Sequence, residues 1–214
     1  MKALVTDCLK LVIITLVAGI ALGAIYGITK DPIAQQEIKA REAAYKAVFP
    51  DAAEFDDVDG FTTEAASTVL ADYQNVIEDH QGDVISAAVE AKDASGSVLG
   101  YIFNVTTAKG YGGDIQLTVG IQADGTVNGY SVLSISETAG LGMNAKTNPA
   151  WADQYKNKKV DHFEVVTDGS GNLTNPSEDN SGIDAISGAT ITSKAVTGAM
   201  NSCLAYFQSL EGGK

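Results

Sequence analysis

The N-terminal segment constrains this chain more than any other feature of its sequence. Residues 11–28 read LVIITLVAGIALGAIYGI, eighteen consecutive residues without a charge. As a helix, this run would be about 27 Å long, close to the roughly 30 Å hydrocarbon core of a bilayer. Lys2 and Lys10 precede it. They predict a single-pass helix in the cell (inner) membrane, with a cytoplasmic N-terminus and the following domain on the outer face.

The same segment has an alternative interpretation as a cleaved signal peptide, with Ala21, Gly23 and Ala24 as the small residues of a cleavage site. The apolar run is longer than a signal peptide usually has, which favours a retained anchor. Gly19, Gly23 and Gly27 recur every four residues and therefore share one helical face. Because small residues let membrane helices approach closely, this face predicts packing against another membrane protein of a complex; the alternative is that glycine is simply common in transmembrane helices.

Composition excludes several classes of function. Asp and Glu outnumber Lys and Arg by 27 to 14, which gives a formal net charge of −13. A chain this acidic is repelled by a phosphate backbone, so no nucleic acid partner is expected. Cys8, Cys203, His80 and His162 are too scattered to ligate zinc, haem or an iron–sulfur cluster. Redox chemistry in this chain would therefore need an organic cofactor.

The sequence beyond the anchor predicts an α+β fold, an antiparallel sheet flanked by helices. Ser95-Gly96 and Asp124-Gly125 are typical hairpin turns between consecutive strands, which indicates a meander. Periodicity predicts helices at 33–49, 64–73, 149–157 and 190–209, strands at 84–91, 97–107, 115–122, 127–136 and 162–166, and a loop at 168–182.

These elements suggest three parts of the chain. They are a cytoplasmic stub with the transmembrane helix at 1–30, a helical linker at 31–83, and the main domain at 84–214. Side chains expected to be buried on the helices are Ile38, Ala44, Tyr45, Val48, Ala195, Ala199, Leu204 and Phe207.

Residues 184–190 read DAISGAT and are followed by ITS. A short Gly-containing turn that opens a helix presents free backbone N–H groups, and these groups and the helix dipole both favour a bound phosphate. Simple helix capping by Ser187, Thr190 or Thr192 is the alternative, and spacing alone favours capping.

Residues 136–142 read SETAGLG and come directly after a predicted strand. Two glycines in three residues, Gly140 and Gly142, indicate a backbone that approaches something flat or turns sharply. The alternative is a strand-ending loop with no ligand.

DAISGAT matches every defined position of the pattern Asp-x-x-Ser/Thr-Gly-Ala-Thr, so the chain resembles the FMN-binding domain family. That family includes the G subunit of the Rnf complex and the C subunit of the sodium-pumping NADH:quinone reductase. The resemblance implies that Thr190 is esterified to the phosphate of FMN by a flavin transferase that uses FAD. It assigns Asp184, Ser187, Gly188 and Ala189 to the motif around this acceptor.

The second segment is similar to the family's Glu-Thr-Pro-Gly-Leu-Gly, which lines the flavin, with Ala139 in place of Pro. The turn at 110–114 and the Trp151 region also resemble the family. We expect Leu141, Met143 and Trp151 to pack around the flavin ring, and the alternative for each is an ordinary position in the protein core. The cofactor contacts implied by this second segment are Glu137, Thr138, Gly140, Leu141 and Gly142.

The resemblance implies a membrane-anchored electron-transfer protein within an ion-translocating ferredoxin:NAD oxidoreductase (Rnf) complex. Its partners would be the other membrane and redox subunits, with the flavin transferase needed for maturation. The chain would be a redox subunit without a complete active site of its own. The C subunit of the quinone reductase and a flavin-free scaffold of the same fold are alternatives. A soluble hydrolase using Ser136 or Ser187 would need a base that neither histidine is placed to supply.

Overall fold

Helix α1 spans Lys2–Val48 in the computed structural model, which describes residues 2–73 and 82–212. The described side chains between residues 6 and 28 are almost all exposed, as expected for a helix whose apolar surface faces lipid. Within the described part of the chain, α1 is the one helix long and apolar enough to cross a membrane. The length and apolar composition of the expected N-terminal transmembrane helix are thus confirmed, and its orientation stays a prediction.

Helix α1 continues past the position where a second helix was expected to begin. Pro32 lies inside it, so the helix predicted at 33–49 is present but is not a separate element. A proline removes one backbone donor, and the Ala, Gln, Glu, Lys and Arg residues that follow are strong helix formers.

The chain divides into two units, Met1–Glu42 and Ala43–Lys214. Ile38 was expected to be buried and this is wrong, because it belongs to the first unit and is 57% exposed. Ala44, Tyr45 and Val48 belong to the second unit and are buried as predicted. The boundaries at residues 31 and 84 stay predictions. His80 and the part of the predicted linker at 74–81 lie outside the described residues.

The second unit is built on a five-stranded sheet of order β1-β2-β3-β4-β5, in which every neighbouring pair is antiparallel. The predicted meander is therefore confirmed. Its strands are β1 Glu54–Asp57, β2 Val84–Lys92, β3 Val98–Gly110, β4 Gly113–Gln122 and β5 Val127–Ser134.

Strand β1 was not predicted because its sequence, EFDD, is mostly acidic. It forms an edge of the sheet, and Asp56 pairs with Lys92 of β2 at 2.8 Å. Both predicted hairpin turns are present, with Gly96 at φ +83° and Gly125 at φ +89°.

The remaining elements cover the sheet and carry the site. The predicted helices at 64–73 and 190–209 are confirmed, and the helix near 149–157 is shorter. Helix α3 (Asn144–Thr147) and strand β7 (Gly182–Asp184) are too short for sequence periodicity to reveal. Strand β6 (Glu164–Val166) pairs in parallel with β7, separately from the main sheet. These elements are α2 Thr63–Tyr73, α3 Asn144–Thr147, α4 Pro149–Ala152 with a 3-10 turn at Asp153–Tyr155, β6 Glu164–Val166, β7 Gly182–Asp184 and α5 Thr190–Gly212.

Alternation along β3 divides the core between the two faces of the sheet. Tyr101, Phe103 and Val105 belong to the larger cluster, which includes the buried side of α5, whereas Ile102 packs with Tyr45 and Val48 at the end of α1. The predicted buried positions on α5 (Ala195, Ala199, Leu204 and Phe207) are all buried. Packing of α5 across the sheet fixes where its N-terminus lies.

Candidate functional site

A cavity of about 510 Å³ opens where the two segments singled out in the sequence meet. One wall comes from the loop after β5 and the other from the N-terminus of α5, with the turn between β3 and β4 at the side. The lining residues are Tyr111, Glu137, Thr138, Leu141, Gly142, Gly188, Ala189, Thr190, Ile191 and Thr192.

Thr190 is the first residue of α5 and is exposed on the cavity. The first N–H groups of a helix have no intrahelical acceptor, and the helix dipole adds a partial positive charge at the same place. The first turn of α5 contains no acidic residue that would compete for this charge. This end of the cavity therefore suits an anion such as a phosphate group.

A hydroxyl group inside α5 holds the turn that precedes Thr190. Ser193 Oγ accepts the backbone N–H of Ile186 at 2.9 Å and donates to the carbonyl of Ala189 at 3.0 Å. Gly188, between these two residues, has φ +73°, which lets the chain reverse before the helix begins. Ser193 is completely buried, so it serves the geometry of the turn and is not available to a ligand.

Glu137 forms the opposite wall and is only 7% exposed. Its Oε1 accepts the backbone N–H of Gly112 at 3.2 Å. A Cβ atom on Gly142 would lie 2.5 Å from both Glu137 Oε2 and Thr192 Oγ1. Gly142 is thus required by the close approach of these two side chains to its backbone.

The loop after Glu137 turns back on itself through the carbonyl of Thr138, which accepts the N–H groups of Leu141 and Met143, each at 3.1 Å. Gly140 has φ +76° and supplies the sharp bend. The sequence therefore needs its two glycines for different reasons, one for backbone conformation and one for close packing.

Apolar side chains surround the mouth of the cavity. Tyr111, Leu141 and Ile191 are 72%, 41% and 54% exposed, so each leaves apolar surface in contact with solvent. Large exposed apolar groups that converge on a cavity are typical of a binding site for a flat organic molecule.

The structure divides the predicted site residues into two groups. Those that line the cavity are Glu137, Thr138, Leu141, Gly142, Gly188, Ala189 and Thr190. Those that lie outside the lining are Gly140, Met143, Trp151, Asp184 and Ser187.

Asp184 is 8% exposed and its carboxylate faces the loop that precedes β7. Its two oxygens accept the backbone N–H groups of Gly171 at 3.2 Å and Leu173 at 2.9 Å. Its own N–H donates to Gln154 Oε1 at 2.8 Å. In the folded chain, this residue anchors the loop beside the motif.

Trp151 lies in the core beneath the motif, only 2% exposed. Its indole N–H donates to the carbonyl of Asp184 at 2.7 Å, and its ring meets Tyr155 edge-on at 5.7 Å between centroids. Its polar group is thus used to support the first residue of the motif, and the expected contact with a flavin ring stays a prediction.

Sequence reasoning did not assign Tyr111, Ile191 or Thr192 to the site, although all three line the cavity. Tyr111 lies in the glycine-rich turn at 110–114, and the other two directly follow the DAISGAT motif. The glycines of the turn were the available indication, since Gly112 closely approaches the loop at Ser136.

Comparison with known proteins gives concordant results. The FMN-binding domain family matches residues 110–205, which include every lining residue of the cavity. The G subunit of the Na(+)-translocating ferredoxin:NAD(+) oxidoreductase complex of Acetobacterium woodii is 31% identical over 94% of this chain and 90% of that protein. Its proton-translocating counterpart in Clostridium ljungdahlii is 32% identical over 96% of this chain and 92% of that protein.

The chain belongs to the G-subunit family of ion-translocating oxidoreductase complexes. Members of this family are parts of redox complexes, and the similarity extends over the N-terminal helix as well as the cavity-bearing unit. The crystal structure of Shewanella oneidensis NqrC is 24% identical, with a TM-score of 0.44 over 59% of this chain and 61% of that one.

Proposed function

We propose that this member of the G-subunit family holds FMN in the cavity, joined through its phosphate to Thr190 Oγ1. We further propose that it passes electrons within a membrane-bound ferredoxin:NAD oxidoreductase complex that translocates ions. The observation that carries the proposal is the position of Thr190, an exposed hydroxyl on the cavity at the first residue of α5. The names of the curated relatives support the kind of complex.

The cavity suits FMN in size and in the distribution of polar groups. Its volume of about 510 Å³ falls within the roughly 300–1,000 Å³ typical of cofactor sites. The helix N-terminus suits the phosphate. Tyr111, Leu141 and Ile191 offer apolar surface for the flat ring system.

Burial distinguishes Thr190 from the neighbouring hydroxyl groups as the acceptor. Thr192 is 1% exposed and Ser193 is fully buried with its hydroxyl engaged on both sides. A flavin transferase that approaches from solvent can reach the Thr190 hydroxyl without opening the helix.

Attachment would proceed by transfer from FAD. The oxygen of the Thr190 hydroxyl forms a bond to the phosphorus of the FMN half, the pyrophosphate bond breaks, and AMP leaves. The proton of the hydroxyl is released to the transferase or to water. The product is a phosphoester, and Thr190 acts as a tether.

Bound FMN supplies one- and two-electron redox chemistry. The chain's own residues would hold it in the cavity and set its electrostatic environment. In the proposed orientation, the N-terminus of α1 is cytoplasmic and the cavity lies on the outer face, where a covalent tether prevents loss of the cofactor. Other membrane and redox subunits would deliver and remove the electrons.

The test is the intact mass and in-gel flavin fluorescence of the full chain co-expressed with a flavin transferase. We expect a covalent FMN adduct in the parent and in Thr192→Val, and none in Thr190→Val. The Thr192 variant is a matched control, because it removes the same hydroxyl two residues away on the same cavity. A parent without adduct, or an adduct that persists in Thr190→Val, would favour a flavin-free scaffold.

A further inference from the structure

Glu137 is the one charged side chain among the residues that line the cavity in the described part of the chain. Among the residues that the structure describes, no Lys, Arg or His shares that lining. The side chain is 7% exposed and accepts the Gly112 N–H at 3.2 Å. The cavity thus carries an acidic group without a basic side chain in its wall.

Glycine backbone packs closely against the Glu137 carboxylate. A Cβ on Gly110 would lie 2.9 Å from Glu137 Oε1, and one on Gly142 would lie 2.5 Å from Oε2. Two separate chain segments therefore approach the two oxygens so closely that any side chain larger than hydrogen would collide with them.

The helix N-terminus is the other electrostatic feature of the cavity. It carries the equivalent of roughly half a positive charge, and its influence fades within the first turn. A phosphate group at Thr190 would more than offset this charge, so the helix N-terminus would not counter the negative charge of the Glu137 carboxylate in the rest of the cavity. A charge in a protein wall is screened much less than a charge in water.

We propose that Glu137 lowers the reduction potential of the redox group held in this cavity. This inference rests on the proposed function. Near neutral pH a flavin takes up more electrons than protons when it is fully reduced, so reduction adds net negative charge to the cavity, and a fixed negative charge nearby opposes that addition. Glu137 thereby makes the bound flavin a stronger reductant than the same flavin in a neutral cavity.

The experiment is a potentiometric titration of the covalently loaded, detergent-solubilised full chain. Dithionite supplies the electrons, the buffer supplies the protons, and flavin absorbance reports the midpoint potential. Glu137→Gln keeps the shape of the side chain and an oxygen acceptor for Gly112 but removes the charge. We expect its midpoint potential to shift upward relative to the parent. Glu137→Asp, which keeps the charge, should stay closer to the parent.

Glu54→Gln is the matched control, since it removes the same charge from the exposed edge strand β1, away from the cavity. We expect no shift for this variant. Glu137→Met, a neutral side chain of the same length, provides a second measurement if the Gln variant does not fold.

A loaded neutral variant with the parent's potential would overturn the inference, as would an equal shift in Glu137→Asp and Glu137→Gln. The second result would mean that packing and not charge is responsible. If the proposed function is wrong, the parent itself will carry no covalent flavin, and this result is distinguishable from a loaded variant with an unchanged potential.

Discussion

Leu141 Cδ2 lies 3.2 Å from the position that a Cβ atom on Gly188 would occupy. These two residues belong to the two motifs that stood out in the sequence, and they come together at the cavity. Gly188 also has φ +73°, so the backbone conformation favours glycine at this position, and a Cβ there would press on the Leu141 side chain. The two motifs are therefore parts of one site.

Gly188→Ala should destabilise the second unit by about 1 kcal/mol, because a residue with a Cβ is strained in the left-handed region. Denaturant unfolding of the full chain in detergent measures this. Ser187→Ala is the control, since Ser187 is exposed and its substitution should stay within about 0.5 kcal/mol. Equal stability of Gly188→Ala and the parent would contradict the conformational argument.

Asp184→Asn should loosen the loop that precedes β7. An amide side chain has one acceptor oxygen where the carboxylate has two, so either the Gly171 or the Leu173 N–H loses its partner, at a cost of about 1–3 kcal/mol. Hydrogen–deuterium exchange should show faster exchange in peptides covering 169–175. Unchanged protection of these amides in the variant would refute the anchoring role.

Ser193→Ala should destabilise the turn before α5 by about 1–3 kcal/mol, because it leaves the Ile186 N–H without its acceptor. Ser67→Ala offers a matched control on α2. Ser67 is exposed and its hydroxyl bonds the carbonyl four residues earlier, as Ser193 does. Similar small effects from the two substitutions would show that the Ile186 bond contributes little.

Acid should weaken the hairpin between β4 and β5 through Asp124. The backbone N–H of Thr126, with further help from its hydroxyl, lowers the pKa of the Asp124 carboxyl below its ordinary range. A carboxyl whose pKa is lower in the folded chain adds stability above its unfolded pKa and loses it as the pH falls below about 4. The melting temperature of Asp124→Asn should therefore fall less steeply on acidification than that of the parent. Parallel pH profiles would contradict this expectation.

Much of the fold could be predicted from local sequence because most of its helices and strands are long and regularly patterned. The hairpins at Gly96 and Gly125 follow from turn chemistry, and the buried face of α5 follows from helical spacing. Strand β1 was not predicted because its acidic residues have a low propensity for strands. Ile38 was misjudged because helical spacing says which residues share a face but not whether anything packs against that face.

The candidate site was predicted in part. DAISGAT and SETAGLG were recognised as motifs, and Glu137, Leu141, Gly188 and Thr190 do line one cavity. Asp184 and Trp151 are not among the lining residues, and the Trp151 indole N–H donates to the Asp184 carbonyl, so their expected contact with the cofactor stays a prediction. A motif identifies residues that are needed together, but it does not distinguish those that line a cavity from those that hold its wall.

The sequence by itself determined the membrane helix, the antiparallel meander and the two glycine-containing motifs, because each depends on interactions between residues close in the chain. Only the tertiary structure decided that Glu137 faces Thr192 across Gly142, that Thr190 is exposed while Thr192 is buried, and that Tyr111 joins the cavity. These facts depend on how α5 packs across the sheet. That packing brings together residues distant in sequence, through contacts that local propensity does not encode.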